Sequence, residues 1–226
     1  MPTILAFDTA TASGSVAVSH QGKVVAESAL MPRQHSQRLL PMIEQLLQRV
    51  AIQVADLDAI AFTHGPGSFM GVRLATGFAQ GLAFAADIPL IAISTLRVLA
   101  QTALLDVGAT RVLAAWDARM DSLYWGGYQA DPAGLMQVMI EDCLTPAKDW
   151  YWPGGEWQCV GNAWGTYAAT LSPALANCQQ IHAEICPRAE AMLALAQAAY
   201  RDQQTVSPLS VQPSYLRHHV ANKPSS

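Results

Sequence analysis

Asp8 stands at the end of a short apolar run, Thr3–Phe7, with hydroxyls close behind it at Thr9 and Thr11. An acid and two hydroxyls on a tight turn could hold the phosphates of a nucleotide, the backbone N–H groups and hydroxyls binding the anion and the carboxylate placing a metal. The same three residues could equally do no more than cap a turn by satisfying local backbone donors. The residues leave both readings open.

The other stretch with chemical potential is GPGSFMGVR, Gly65–Arg73. Its three glycines permit close backbone approach, and Ser68 is placed to cap a helix that begins at Phe69. A glycine-rich turn feeding a helix start is an anion-friendly arrangement, which makes Gly67 and Ser68 candidate phosphate contacts beside Asp8, Thr9 and Thr11. The stretch lacks the G-K-[ST] ending of a Walker A loop, and its glycines do not follow G-x-G-x-x-G. A plain packing turn accounts for it as well.

Metal and nucleophile chemistry find little support. His20, His35, His64, His182, His218 and His219 form neither H-x-x-x-H nor H-E-x-x-H. No serine lies in a G-x-S-x-G elbow. The four cysteines, Cys143, Cys159, Cys178 and Cys186, have no C-x-x-C spacing, so they read as reduced thiols.

The elements that would position these residues follow from hydrophobic period. After Thr3–Phe7, Ser15–Ser19 and Lys23–Ala29 read as two strands joined by a Gln21-Gly22 hairpin turn. From Ser36 the apolar residues Leu39, Leu40, Ile43, Leu46, Leu47 and Val50 recur at three- and four-residue steps, which is an amphipathic helix with Pro41 near its start. Ala59–Thr63 is a strand, Phe69–Ala86 a helix, Pro89–Ile93 a buried strand and Leu96–Leu105 a further helix. The helix from Phe69 carries Gly71, Ala75, Ala79 and Ala83 at steps of four, a stripe of small residues that suits close approach of another helix. That neighbour is either a partner subunit or the chain's own sheet.

A similar order starts again at Arg111. Val112–Trp116 is a strand, Asp117–Asp121 a polar turn, and Leu123–Gln129 and Gly134–Ile140 a strand pair. The Trp-, Gly- and Pro-rich region from Trp150 to Trp164 reads as loop with one short strand, Ala189–Gln203 as a helix, and the chain from Pro208 as extended, fraying after Ala221. Strands first and helices after, twice, with an Asp-containing turn in each set, argue for an α/β protein of the actin-like ATPase (ASKHA) fold, in which two duplicated lobes each hold a mixed sheet flanked by helices. The expected division is 1–105 and 106–226, with the helix 189–203 and the C-terminal stretch packing back toward the first lobe.

The chain has 226 residues, 51% of them hydrophobic and 13% charged, which suits buried sheets and excludes a disordered chain. Its net charge is −4, and its lysines and arginines form no run, so contact with RNA is expected to go through a partner. No segment reaches membrane-spanning length, and no charged leader precedes the first strand; the expected location is the cytoplasm.

The segments ILAFDTAT, HSQRLLPMI, GPGSFMGVR, PLIAIST, DARMDSLYW and PSYLR resemble, in order and spacing, those of the TsaB family (the YeaZ proteins). The likeness spans nearly the whole chain and is weakest between about Asp131 and Arg188. Met70 departs from it, standing where the family usually has Thr, which removes a hydroxyl beside the glycine turn. The resemblance implies a non-catalytic subunit of the complex that forms the threonylcarbamoyl group on the adenosine next to the anticodon, in tRNAs reading A-starting codons. It implies pairing with the catalytic TsaD subunit through the helices Ser36–Val50 and Phe69–Ala86, with Leu39, Ile43, Leu46, Gly71, Ala75, Ala79 and Ala83 as interface candidates. The ATPase TsaE is the third component, tRNA is met only through the complex, and the isolated chain is expected to form a homodimer through similar surface. In register with the H-x-E-G-H metal motif of TsaD stand Thr95, Arg97 and Leu99, which cannot hold a divalent ion as imidazoles do. No cofactor, no metal and no catalytic residue are therefore expected. The alternatives are a metal-dependent glycoprotease-type peptidase, against which the missing histidines count, and an actin-like small-molecule kinase, for which only the Asp8 turn speaks.

Overall fold

A computed structural model describes residues 1–216. The opening run forms β1 (Ile4–Asp8), followed by β2 (Ser13–His20) and β3 (Lys23–Leu30), then α1 (His35–Arg49), β4 (Ala59–Gly65), α2 (Phe69–Ala86), β5 (Leu90–Ser94) and α3 (Thr95–Val107). The second half gives β6 (Arg111–Arg119), β7 (Ser122–Ala130), β8 (Met136–Pro146), β9 (Gln158–Val160), α4 (Ala163–Thr166), α5 (Ala168–Leu175), β10 (Gln180–His182) and α6 (Ala189–Arg201).

The strands make two five-stranded sheets, β3-β2-β1-β4-β5 and β8-β7-β6-β9-β10. In each sheet the first strand pairs antiparallel with the second and the second with the third, while the fourth and fifth join in parallel. Strand order and direction are therefore the same in both halves, the duplicated actin-like architecture expected from the order of elements. The halves differ in their helices. The place of α1 is taken in the second half by a short 3-10 turn, Ala147–Asp149, and a Trp-rich loop. Trp150 of that loop meets Trp125 of β7, Trp152 of the loop and Trp164 of α4 edge to face, one aromatic cluster on the second sheet.

Two helices cross between the sheets. Leu96, Leu99, Ala100 and Ala103 of α3 pack on Val112, Ala114, Tyr128 and Val160 of the second sheet. In the other direction, Ala189, Met192, Leu193 and Ala196 of α6 pack on Ile4, Ala6, Ala17 and Ala61 of the first. The opposite face of the first sheet, with Leu5, Phe7, Val16 and Val18, receives α1 and α2.

That last layer corrects the reading of the small-residue stripe. Leu39, Ile43 and Leu46 of α1 and Ala75, Ala79 and Ala83 of α2 are all 0% exposed and belong to one core with the sheet; Gly71 is buried as well. The leucines, the isoleucine and the alanines face the chain's own strands and Gly71 faces the Thr9–Ala10 turn, so none of them can meet a partner while the chain is folded. A period of four marks a buried face without saying what buries it. Two second-half elements also differ from expectation, β8 continuing to Pro146 and α4 starting inside the stretch read as loop, while α5 lies in a stretch to which no element was assigned. Each of those helices is short, and α5 contains Pro173, so neither shows a helical period.

Candidate functional site

The first turn is bound into the protein rather than open to a ligand. Asp8 ends the central strand with no exposed surface, and its Oδ1 accepts from the Thr63 hydroxyl at 2.5 Å and from the Ala10 N–H at 3.0 Å. Its Oδ2 is buried without a partner, and burial pushes its carboxyl up to about 6 despite both hydrogen bonds. Thr9 is also fully buried, its hydroxyl donating to the Gly71 carbonyl at 2.7 Å. Thr11, 4% exposed, closes a local turn with Ser13.

The glycine turn meets this loop from the other side. Ser68 N–H donates to the Ala10 carbonyl at 2.8 Å, while its side chain caps α2 by accepting from Gly71 N–H at 3.4 Å. A Cβ on Gly71 would fall 2.0 Å from the Thr9 carbonyl oxygen, and one on Gly67 would fall 2.7 Å from that of Ala10. The glycines are there for contact of backbone with backbone. Asp8, Thr9, Thr11, Gly67 and Ser68 do come together as the sequence suggested, but their donors are largely spent on one another. The nucleotide that an actin-like fold implies does not fit this turn: Asp8 and Thr9 have no surface to offer it.

At the three positions in register with a metal motif, Thr95 is buried with an unpartnered hydroxyl, and Leu99 lies in the apolar core. Arg97 donates through Nε to the Met136 carbonyl at 2.7 Å, and burial holds its guanidinium below the usual range. Among the described residues no group of three His, Cys, Asp or Glu is placed to hold a metal ion. His218, His219, Arg217 of the PSYLR segment, and the expected fraying after Ala221, lie outside the described residues.

Two features escaped the sequence reading. One is a polar link between the halves: Ser94, the cap of α3, donates to Asp142 Oδ2 at 2.5 Å, and the Tyr128 hydroxyl donates to Oδ1 of the same carboxylate. Burial raises the Asp142 carboxyl above its ordinary value and the Tyr128 phenol well above its own. Partners 34 and 48 residues from Ser94 leave no local signal. The other is the outer face of α2, where Phe69, Met70, Arg73, Gly77, Gly81 and Phe84 are exposed. Nothing lies within 4 Å of a Cβ built on Gly77 or Gly81, so the face has open room between large apolar side chains. Here the signal was present: Phe69, Arg73, Gly77 and Gly81 recur at the same four-residue step as the buried stripe, on the opposite side.

Residues 11–223 match a family model described as TsaD, tRNA N6-adenosine threonylcarbamoyltransferase. A protein of that description from Erythrobacter litoralis is 47% identical over 85 residues, but these make up only 24% of its length. The Escherichia coli protein described as tRNA threonylcarbamoyladenosine biosynthesis protein TsaB is 41% identical over 224 residues, covering 97% of this chain and 96% of that one. This chain belongs to the TsaB family. A second TsaB, from Haemophilus influenzae, is 37% identical over 98% of this chain and 96% of its own. Among solved structures, YeaZ from Pseudomonas aeruginosa superposes with a TM-score of 0.90 at 40% identity, covering 96% of this chain and all of that one. The likeness to the two TsaB proteins and to YeaZ thus runs through both halves of the chain. No helix among the described residues is long and apolar enough to cross a membrane.

Proposed function

We propose that this chain is a non-catalytic, cytoplasmic subunit of the machinery that builds threonylcarbamoyladenosine in tRNA, pairing with a TsaD-type transferase and acting with a TsaE-type ATPase. One observation carries the reading: the likeness to the E. coli protein named for threonylcarbamoyladenosine biosynthesis runs over 97% of the chain, with no large insertion or missing lobe. The closed Asp8 turn supports a supporting role over a kinase, because a phosphoryl-transfer site needs its phosphate donors and its metal-placing acid open to the substrate. Leu99 and Arg97 speak against a peptidase metal, one being core and the other a cation.

The docking surface of this reading is the outer side of α1 and α2, not the buried stripe. Phe69, Met70, Arg73, Gly77, Gly81 and Phe84 supply apolar anchors around a shallow channel of missing side chains, the form of surface into which a partner helix fits closely. In the isolated chain the same face serves a second copy. The test is co-expression with the transferase and the ATPase, followed by sizing and an assay of tRNA modification. Co-elution and a requirement for this chain in the assay support the reading; a chain that elutes alone and is dispensable overturns it.

A further inference from the structure

The C-terminal segment after α6 runs back along α2, antiparallel to it. Val206 exchanges backbone hydrogen bonds with Leu90 on the edge of the first sheet, at 2.8 and 3.0 Å. Gln80 of α2 donates through Nε2 to the carbonyls of Pro208 at 3.1 Å and Val211 at 3.2 Å. Ser214 N–H then donates to the His64 carbonyl at 2.7 Å, which brings Tyr215 beside the first turn of α2. There the Arg73 guanidinium carbon lies 3.2 Å from the Phe69 ring centroid and 4.8 Å from that of Tyr215, the two rings being 6.3 Å apart.

A guanidinium held against ring faces keeps its in-plane N–H donors along its edge. One of them is used, on the Phe69 carbonyl at 3.3 Å. Among the described residues no carboxylate lies within ion-pair distance of Arg73, and both aromatic rings beside it remain partly exposed. The residue is also the single charge in the 18-residue sequence of α2. An isolated planar cation in an apolar face suits one carboxylate and not a phosphate backbone, which is gripped by several cations in series.

We propose that Phe69 and Tyr215 hold Arg73 as a ready-made receptor for an Asp or Glu side chain of the docking partner, so that the segment Val206–Tyr215 is part of the docking surface. The inference rests on the subunit reading above. The partner it fits is a protein helix with small or apolar residues over Gly77 and Gly81 and a carboxylate near the start of α2. Tyr215 is then a positioning residue: it acts through Arg73, and its ring matters more than its hydroxyl.

The experiment is a binding titration of the full-length chain with a TsaD-type transferase at low and high salt, with thermal unfolding of every variant alongside. Arg73→Ala is expected to weaken binding about tenfold at low salt and to flatten its salt dependence. Tyr215→Ala is expected to weaken binding about threefold or more, while Tyr215→Phe stays within about twofold of wild type because the ring is kept. Wild-type binding that Arg73→Ala leaves unchanged overturns the inference alone, as does an equal loss in Tyr215→Ala and Tyr215→Phe. So does a change confined to self-association of the isolated chain, or to its retention of tRNA in a gel shift. Failure of the wild-type chain to bind overturns the subunit reading and this inference together.

Discussion

The Thr9 hydroxyl donates to the Gly71 carbonyl at 2.7 Å, a contact between residues 62 apart that ties the first turn to the start of α2. It converts what would be a ligand loop into a structural joint. Gly71 makes the contact possible because it has no side chain to stand between the two backbones. The closed turn and the exposed face of α2 are thus two ends of one arrangement: the joint fixes the helix, and the helix presents Phe69, Met70 and Phe84.

Gly71→Ala tests the joint. A methyl group 2.0 Å from the Thr9 oxygen forces the turn and the helix apart. The expected loss is about 2–3 kcal/mol of stability, measured by chemical denaturation. Gly77→Ala, in open space on the same helix, is expected to be neutral or slightly stabilising through helix propensity.

Asp8 gives the joint a pH dependence of unusual sign. Its folded value of about 6 lies above the ordinary 3.8, so the folded state binds the proton more tightly than the unfolded chain does. The contribution of this group is fully present below about pH 4, where the acid is neutral in both states, and declines by about 3 kcal/mol as pH rises through about 6. Asp8→Asn removes the titration, so the difference in stability between variant and wild type should shift in favour of the variant from pH 4 to pH 7. Denaturant midpoints at the two pH values measure it; a difference that does not change with pH contradicts the assignment. Asp142, also raised, contributes equally to both proteins and cancels.

Two tryptophan substitutions on α2 separate core from docking face. Ala79→Trp places an indole in the core and is expected to destabilise or prevent folding. Gly81→Trp fills the open channel on the other side, and is expected to keep the melting temperature within a few degrees while abolishing co-elution with the transferase. Folded Ala79→Trp protein with wild-type stability contradicts the packing described, and intact co-elution of Gly81→Trp contradicts the docking face.

Ser94→Ala removes the cap of α3 and the hydroxyl that reaches Asp142 in the other half. The expected cost is about 1–2 kcal/mol, read by denaturation.

Much of this fold was legible in the sequence. The three- and four-residue steps of Leu39, Ile43 and Leu46, the Gln21-Gly22 turn and the strand runs set the first half nearly complete. What periodicity could not decide was the meaning of a face. Ala75, Ala79 and Ala83 look the same whether they meet a sheet or a partner, and only the folded chain shows that they meet the sheet. The second half was less readable because β9 and β10 have three residues each and take their direction from β6 rather than from their own pattern. The Ser94–Asp142 link joins residues 48 apart and has no spacing to find. The closed state of the Asp8 turn was likewise hidden, because the same acid, hydroxyls and glycines serve an open phosphate loop or a welded one.

The most direct measurement is threonylcarbamoyladenosine formed on tRNA in a mixture reconstituted with the transferase and the ATPase, with and without this chain, quantified by mass spectrometry of the hydrolysed RNA. The account predicts that product falls to background when the chain is left out and that the chain alone makes none. Undiminished product in its absence, or turnover by the isolated chain, contradicts it.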